Sequence, residues 1–288
     1  MSVFASFRWF VLLHLSFAYE CGRSFEFWEL RWSRFISNEG NSTVAPAFPW
    51  FAALQTAGSA DAHPFCGGSV VGRRWILTAA SCLQSVSDFE IVLGLKYMNR
   101  FNPLRTTYRV RRTVVHKDYG MMGSDIALIE TTQPIGYNRH VQPVCLPKDD
   151  SNLKTGLPAN TTGFGVKESH EAADHLLMIN TTFRDVSDCE GIDSNGVFNA
   201  SHGSNSILCL GTTDKELCHG DSGAPLTRKQ LFDISWQYGI ASMSPKCGDD
   251  IGHPSVYTRI AFFCDWIDES TKGEVYCQEG NSEDDSDV

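Results

Sequence analysis

The stretch Gly220-Asp221-Ser222-Gly223-Ala224-Pro225 sets a serine between glycines. Glycines let the backbone take a tight turn, so the Ser222 hydroxyl can stand exposed. The N–H groups of Gly220 and Ser222 can then converge on a developing oxyanion. That is the chemistry of nucleophilic acyl transfer. A serine hydroxyl is a poor nucleophile alone. It needs a base within hydrogen-bond reach and a third group to orient that base. The competing reading is a glycine-rich turn with no catalytic role.

The elements that must hold Ser222 are short strands. The runs WFAALQT, GGSVVG, RWILTAA, FEIVLG, YRVRRTVVH, DIALIE, LLMINTTF, QYGIASM and SVYTRI are strand-length and rich in Val, Ile, Thr and aromatics. Gly, Pro, Asn or Asp bound them, which points to an all-β sandwich or barrel. The best helix candidate is IAFFCDWIDEST, with apolar residues at 260, 263, 266 and 267 in helical spacing. No internal repeat is found.

With 288 residues, 42% hydrophobic and 20% charged, the chain suits one sizeable domain or two small ones packed together. Its net charge of -10 argues against a nucleic-acid partner. The last ten residues, EGNSEDDSDV, are acidic without Lys or Arg and read as a solvated tail. At the other end, Arg8 precedes the apolar run Trp9 to Phe17 and then Ala18. That pattern is a signal peptide cut after Ala18, and the run is too short for a membrane span. Ten cysteines after such a segment read as disulfides rather than metal ligands. No C-x-x-C pair occurs, and no metal or cofactor is expected. Sequons at Asn41, Asn160, Asn180 and Asn199 fit a secreted glycoprotein.

From about Arg34 to Ile267 the chain resembles the chymotrypsin/trypsin family of secreted serine proteases. The matching pieces include FPWFAAL, FCGGSVVGRRWILTAASC, SDIALIE, VQPVCLP, CHGDSGAP and HPSVYTRIAFFCDWI, in family order and spacing. The resemblance implies two six-stranded antiparallel β-barrels, an active cleft between them and a C-terminal helix. It implies this division: signal peptide 1–18, propeptide-like segment 19–34, protease-like domain 35–270 and acidic tail 271–288. It places Ser222 at the nucleophile and Asp125 at the orienting aspartate. Ser242 falls where a serine usually hydrogen-bonds that aspartate. At the histidine position stands Ser81.

Only imidazole has an unperturbed pKa suited to exchanging a proton near neutrality. Losing a triad member costs on the order of 10⁴- to 10⁶-fold in kcat. His116 matches a surface position of the family, His219 comes from the wrong barrel, and His63 lies in a polar loop. A water or a substrate histidine is the other way to fill the gap. Further departures fall at the specificity pocket. Glu216 stands at its base with Leu217 beside it, and Met243, Ser244 and Ser255 stand where the family has tryptophan and glycines. The two serines and longer acid narrow the slot, though an unusual working pocket is the alternative. At the activation point, Arg34-Phe35-Ile36-Ser37 replaces the usual basic-Ile-Val-Gly-Gly, while Asp221, the acid that receives the new amino terminus, is kept. The comparison implies disulfides Cys21–Cys145, Cys66–Cys82, Cys189–Cys209 and Cys218–Cys247, and leaves Cys264 and Cys277 to each other.

The expectation is a secreted protease homologue without catalytic activity. It would act by binding a protein partner (a protease, an inhibitor or a receptor) as a cascade cofactor, decoy or ligand. The alternatives are an active endopeptidase with a non-standard triad and narrow specificity, or an inert structural protein.

Overall fold

The computed structural model describes residues 21–24, 43–44, 48–59, 62–84, 86–98, 102–120, 123–165, 173–190, 205–211, 221–230, 233–243 and 254–280. Strands account for most of the ordered elements. They are β1 (Thr43–Val44), β2 (Phe51–Thr56), β3 (Cys66–Val70), β4 (Trp75–Thr78), β5 (Phe89–Leu93), β6 (Thr106–Val115) and β7 (Ala127–Thr131). After them come β8 (Pro158–Gly163), β9 (Leu177–Arg184), β10 (Ile207–Gly211), β11 (Pro225–Lys229), β12 (Ser235–Met243) and β13 (Ser255–Arg259).

Six of them, in the order β2-β3-β4-β7-β6-β5, close into an antiparallel barrel, with β5 returning to β2 through Ala52 opposite Leu93. The apolar runs fill its interior: Leu54, Ile76, Leu77, Ile91, Leu93 and Leu128 are all fully buried. Burying such side chains contributes roughly 1.5–3 kcal/mol each. A second barrel runs β8-β9-β10-β13-β12-β11 and closes where Leu226 pairs with Thr161. Short β1 extends that sheet, with Thr43 opposite Met178. The two six-stranded barrels are the architecture the sequence implied.

The second barrel's missing hydrophobic runs are its own signature. β8 reads Pro-Ala-Asn-Thr-Thr-Gly and β11 reads Pro-Leu-Thr-Arg-Lys. Two of their buried threonines bond to backbone: Thr161 Oγ1 to the Pro225 carbonyl at 3.3 Å and Thr227 Oγ1 to the Asn160 carbonyl at 3.4 Å. Such strands are held by ladder bonds and polar pairing rather than by an apolar stripe.

The C-terminal candidate helix splits in two. Ile260–Phe263 forms a 3-10 turn and Cys264–Thr271 forms α1. Ile260, Phe263 and Ile267 belong to the first barrel's hydrophobic cluster, so the chain returns from the second barrel to pack on the first. Lys272 ends α1 in the left-handed region, at φ 56°. Residues beyond it stay attached. Val275 is buried, and the Trp75 indole donates to Glu274 Oε2 at 3.2 Å.

Among the described residues, four disulfides pin this frame: Cys21–Cys145, Cys66–Cys82, Cys189–Cys209 and Cys264–Cys277. The first joins a short N-terminal piece to the second barrel. Gly22 accepts from the Ser235 N–H and donates to the Pro143 carbonyl, both at 2.8 Å. Residues 1–18, Arg34, Phe35, Asn41, Asn199, Glu216, Cys218, His219, Gly220, Ser244, Cys247 and 281–288 lie outside the described residues.

Candidate active site

Ser81 follows β4, whose four residues are all buried. Ala79 and Ala80, without bulk, let the chain turn inward, and Ser81–Leu83 makes one 3-10 turn. Cys82 on that turn is bridged to Cys66 at the start of β3, so the position of Ser81 is fixed covalently. Asp125 sits just before β7, which pairs with β4. Its backbone carbonyl accepts from Thr258 Oγ1 of the second barrel at 2.9 Å.

The Asp125 carboxylate is fully engaged. Oδ1 accepts the Ser81 backbone N–H at 2.7 Å, and Oδ2 accepts the Ser81 hydroxyl at 2.9 Å. Oδ2 also accepts the Ser242 hydroxyl, from β12, at 2.7 Å. Bonds to an ionised acceptor are the stronger kind, roughly 1.5–3 kcal/mol each. The serine in the histidine position thus closes on the aspartate. Nearby, burial and the charge of Asp125 push the Tyr119 hydroxyl above the ordinary phenol range.

Ser222 lies half-buried in the turn between Asp221 and Ala224, ahead of β11. Both barrels hold this turn. The Ser222 carbonyl accepts the Gly67 N–H of β3 at 2.8 Å, and the Gly223 N–H donates to the Ala241 carbonyl of β12 at 2.8 Å. Gly223 has φ +80°, and a Cβ there would overlap the Gly67 carbonyl and the Thr78 hydroxyl. Only glycine fits that position. Asp221 is buried and accepts the Gly165 N–H at 3.0 Å. A Cβ on Gly165 would collide with the same carboxylate. Among the described residues, no hydrogen bond joins the Ser222 hydroxyl to Ser81 or Asp125.

The structure therefore brings Ser81, Asp125, Ser222 and Ser242 to the seam of the barrels. Gly220, Glu216 and Ser244 fall outside the described residues, so the oxyanion and pocket expectations rest on Ser222, Met243 and Ser255 alone. Ser255 is buried at the start of β13 opposite Leu210. Met243 packs against the cluster formed by Cys189, Ile207, Cys209 and Val256. His63 is exposed, away from this seam in sequence and burial. His116 is committed elsewhere: its ring meets Phe263 and Trp266 at centroid distances of 5.0 and 5.2 Å. Burial pushes its pKa below the ordinary value, against the opposing charge of Asp118. Of the described sequons, Asn160 and Asn180 lie directly opposite each other on β8 and β9.

Sequence reasoning missed Thr258, Thr78, Gly67 and Gly165. Thr258, Gly67 and Gly165 are remote in sequence from the residues they hold, and Thr78 reaches the Gly67 carbonyl between β4 and β3, so the barrel topology reveals them. Among the described residues no group of His, Cys, Asp and Glu could hold a metal ion, and no helix is long and apolar enough to cross a membrane.

Two closed barrels meeting at an aspartate and a turn-borne serine define the serine-protease class of architecture. The Trypsin family model matches residues 37–267, and the chain belongs to that family. It is 32% identical over 254 residues to CLIP domain-containing serine protease B4 of Anopheles gambiae, covering 80% of this chain and 69% of that relative.

Proposed function

We propose that the protein is a secreted trypsin-family homologue that does not cut peptide bonds and works by binding another protein. The observation that carries this reading is the closed hydrogen-bond set on Asp125, made by Ser81 and Ser242 without an imidazole. Ser222 then has no base to take its proton, and a hydroxyl at Ser81 cannot shuttle one near neutrality. The described part of the frame around Ser81 is held on several sides. The Asp221–Ala224 turn, the Gly223 clamp and the Cys66–Cys82 bridge keep a protease-shaped surface. That surface suits a decoy, a cofactor or a ligand for a protease, inhibitor or receptor. The four disulfides among the described residues support an extracellular setting, and the segment 1–18 supports export. Glu216, Ser244 and Ser255 are assigned to a narrowed specificity pocket, and Asn41, Asn160, Asn180 and Asn199 to glycan attachment.

The test is fluorophosphonate labelling of the purified chain, before and after cleavage at Arg34, alongside the Ser81→His variant. The expected result is no labelling or peptide turnover by the native chain in either form. Strong labelling with turnover would overturn the reading. Histidine at position 81 is expected to produce measurable labelling, because the Ser222 turn and Asp125 are held by contacts that do not involve the missing ring.

A further inference from the structure

Among the described residues, an exposed strand of this acidic chain is strongly basic, although Glu90 lies across from Arg109 on β5. Residues 105–117 contain Arg105, Arg109, Arg111, Arg112 and Lys117 and no Asp or Glu, in a protein with 34 acidic residues and a net charge of -10. Most of this stretch is β6, and of its ten residues only Tyr108 is buried. The neighbouring strand ends add cations. The Thr131 N–H donates to the Arg74 carbonyl at 2.8 Å, and the Thr132 N–H donates to the Arg109 carbonyl at 2.9 Å. Arg74 and Arg109 therefore flank β7 on its two sides, about 10 Å apart given the spacing of adjacent strands.

The guanidinium groups are held in place. A register shift in β6 between Val110 and Arg112 turns two successive arginines toward one acid. Arg111 Nη1 meets Glu130 Oε1 at 2.8 Å, and Arg112 Nε meets Oε2 at 2.6 Å. One buried carboxylate thus orients two exposed cations, each with donors to spare. Arg112 also lies 5.1 Å over the Trp75 ring, and Arg73 lies 4.1 Å over the Tyr137 ring. Holding the arginines this way lowers the entropy lost when a ligand binds.

From this face we infer that the protein binds a sulfated polysaccharide through Arg74, Arg109, Arg111 and Arg112. The chemistry of the surface selects that ligand over an acidic peptide. Its exposed strand offers guanidinium and threonine hydroxyl donors, from Thr106, Thr107 and Thr113. Both backbone edges of β6 are taken, by β5 and by β7, so a peptide cannot add as a strand. A ligand held only by charge and hydrogen bonds needs many closely spaced anionic groups, and sulfate matches the fork of arginine. The inference is independent of whether Ser222 is active.

The experiment measures binding of the full chain to immobilised heparin across a salt series. Tight binding at about 50 mM NaCl that weakens steeply toward about 200 mM is expected. The Arg74→Ser/Arg109→Ser double variant spares both partners of Glu130. It is expected to bind at least about fivefold more weakly, while the loss of the exposed Arg74 Nη1 bond to the Thr132 carbonyl lowers its unfolding midpoint only slightly. A second double variant, Lys154→Ser/Lys272→Ser, makes the same change in net charge elsewhere and is expected to bind as the native chain does. Absence of binding at low salt would overturn the inference, as would equal losses in the two variants. Displacement by poly-glutamate at lower charge concentration than by soluble heparin would overturn it in favour of an acidic protein partner.

Discussion

At Ser81 a side chain two bonds long replaces a ring, yet the aspartate behind it keeps its bonds. The hydroxyl reaches Asp125 Oδ2, and the backbone N–H of the same residue reaches Oδ1. Removing the hydroxyl alone, in Ser81→Ala, leaves the carboxylate with the Ser81 N–H and Ser242. The expected cost is roughly 1.5–3 kcal/mol, read as a fall in Tm, and under the proposed function neither form turns over peptide. A second residue-scale prediction concerns His116. Its folded pKa is lowered by burial against Phe263 and Trp266. The unfolded chain therefore binds this proton more readily, and stability falls as pH drops through the unfolded value near 6.5. A pH series of Tm from 8 to 5 is expected to show this decline, and His116→Gln is expected to flatten it. Glu130 behaves oppositely in origin. Burial pushes it up, but the bonds and charges of Arg112 and Arg111 outweigh that and hold it below the ordinary range. Its contribution is present above the unfolded carboxylate pKa and is lost only as pH falls through the lower folded value.

At the scale of elements, β3 joins the two halves. The Ser69 hydroxyl donates to Gln237 Oε1 of β12 at 2.5 Å, with both side chains fully buried. Ser69→Ala strands that acceptor in a dry seam. A loss of roughly 1–3 kcal/mol is expected in urea unfolding, larger than for a surface Ser→Ala. The strands legible in the sequence were those with Val, Ile and aromatic runs, such as Phe89–Leu93 and Ala127–Thr131. β8 and β11 gave no such run, because threonine and backbone pairing stabilise them in place of an apolar stripe. The helix was legible at 260, 263 and 267, whose spacing matches the face buried on the first barrel. Its division into a 3-10 turn and α1 had no local signal. The site was legible in Ser81, Asp125, Ser222 and Ser242, which sit in family strings. Thr258 and Gly67 were not, since their partners lie 133 and 155 residues away along the chain.

For the whole molecule, covalent closure decides what a cut would do. Cys21 is bridged to Cys145, and Gly22 is bonded on both sides. Cleavage after Arg34 is therefore expected to leave one species under non-reducing conditions and two after reduction, as seen by mass spectrometry. The Cys264–Cys277 bridge spans a sequence separation of 13 and holds the segment after α1 against the first barrel. Replacing both cysteines by serine is expected to cost roughly 3 kcal/mol.

The closure of the barrels has a further consequence for crowded surroundings. Every strand of the first barrel has a neighbour on each side, with β5 returning to β2. Such a sheet has no bare backbone edge on which another copy could template, so it resists ordered aggregation even where partners and copies accumulate. The function proposed above, binding through side chains, gains from a backbone that offers no purchase to its own kind.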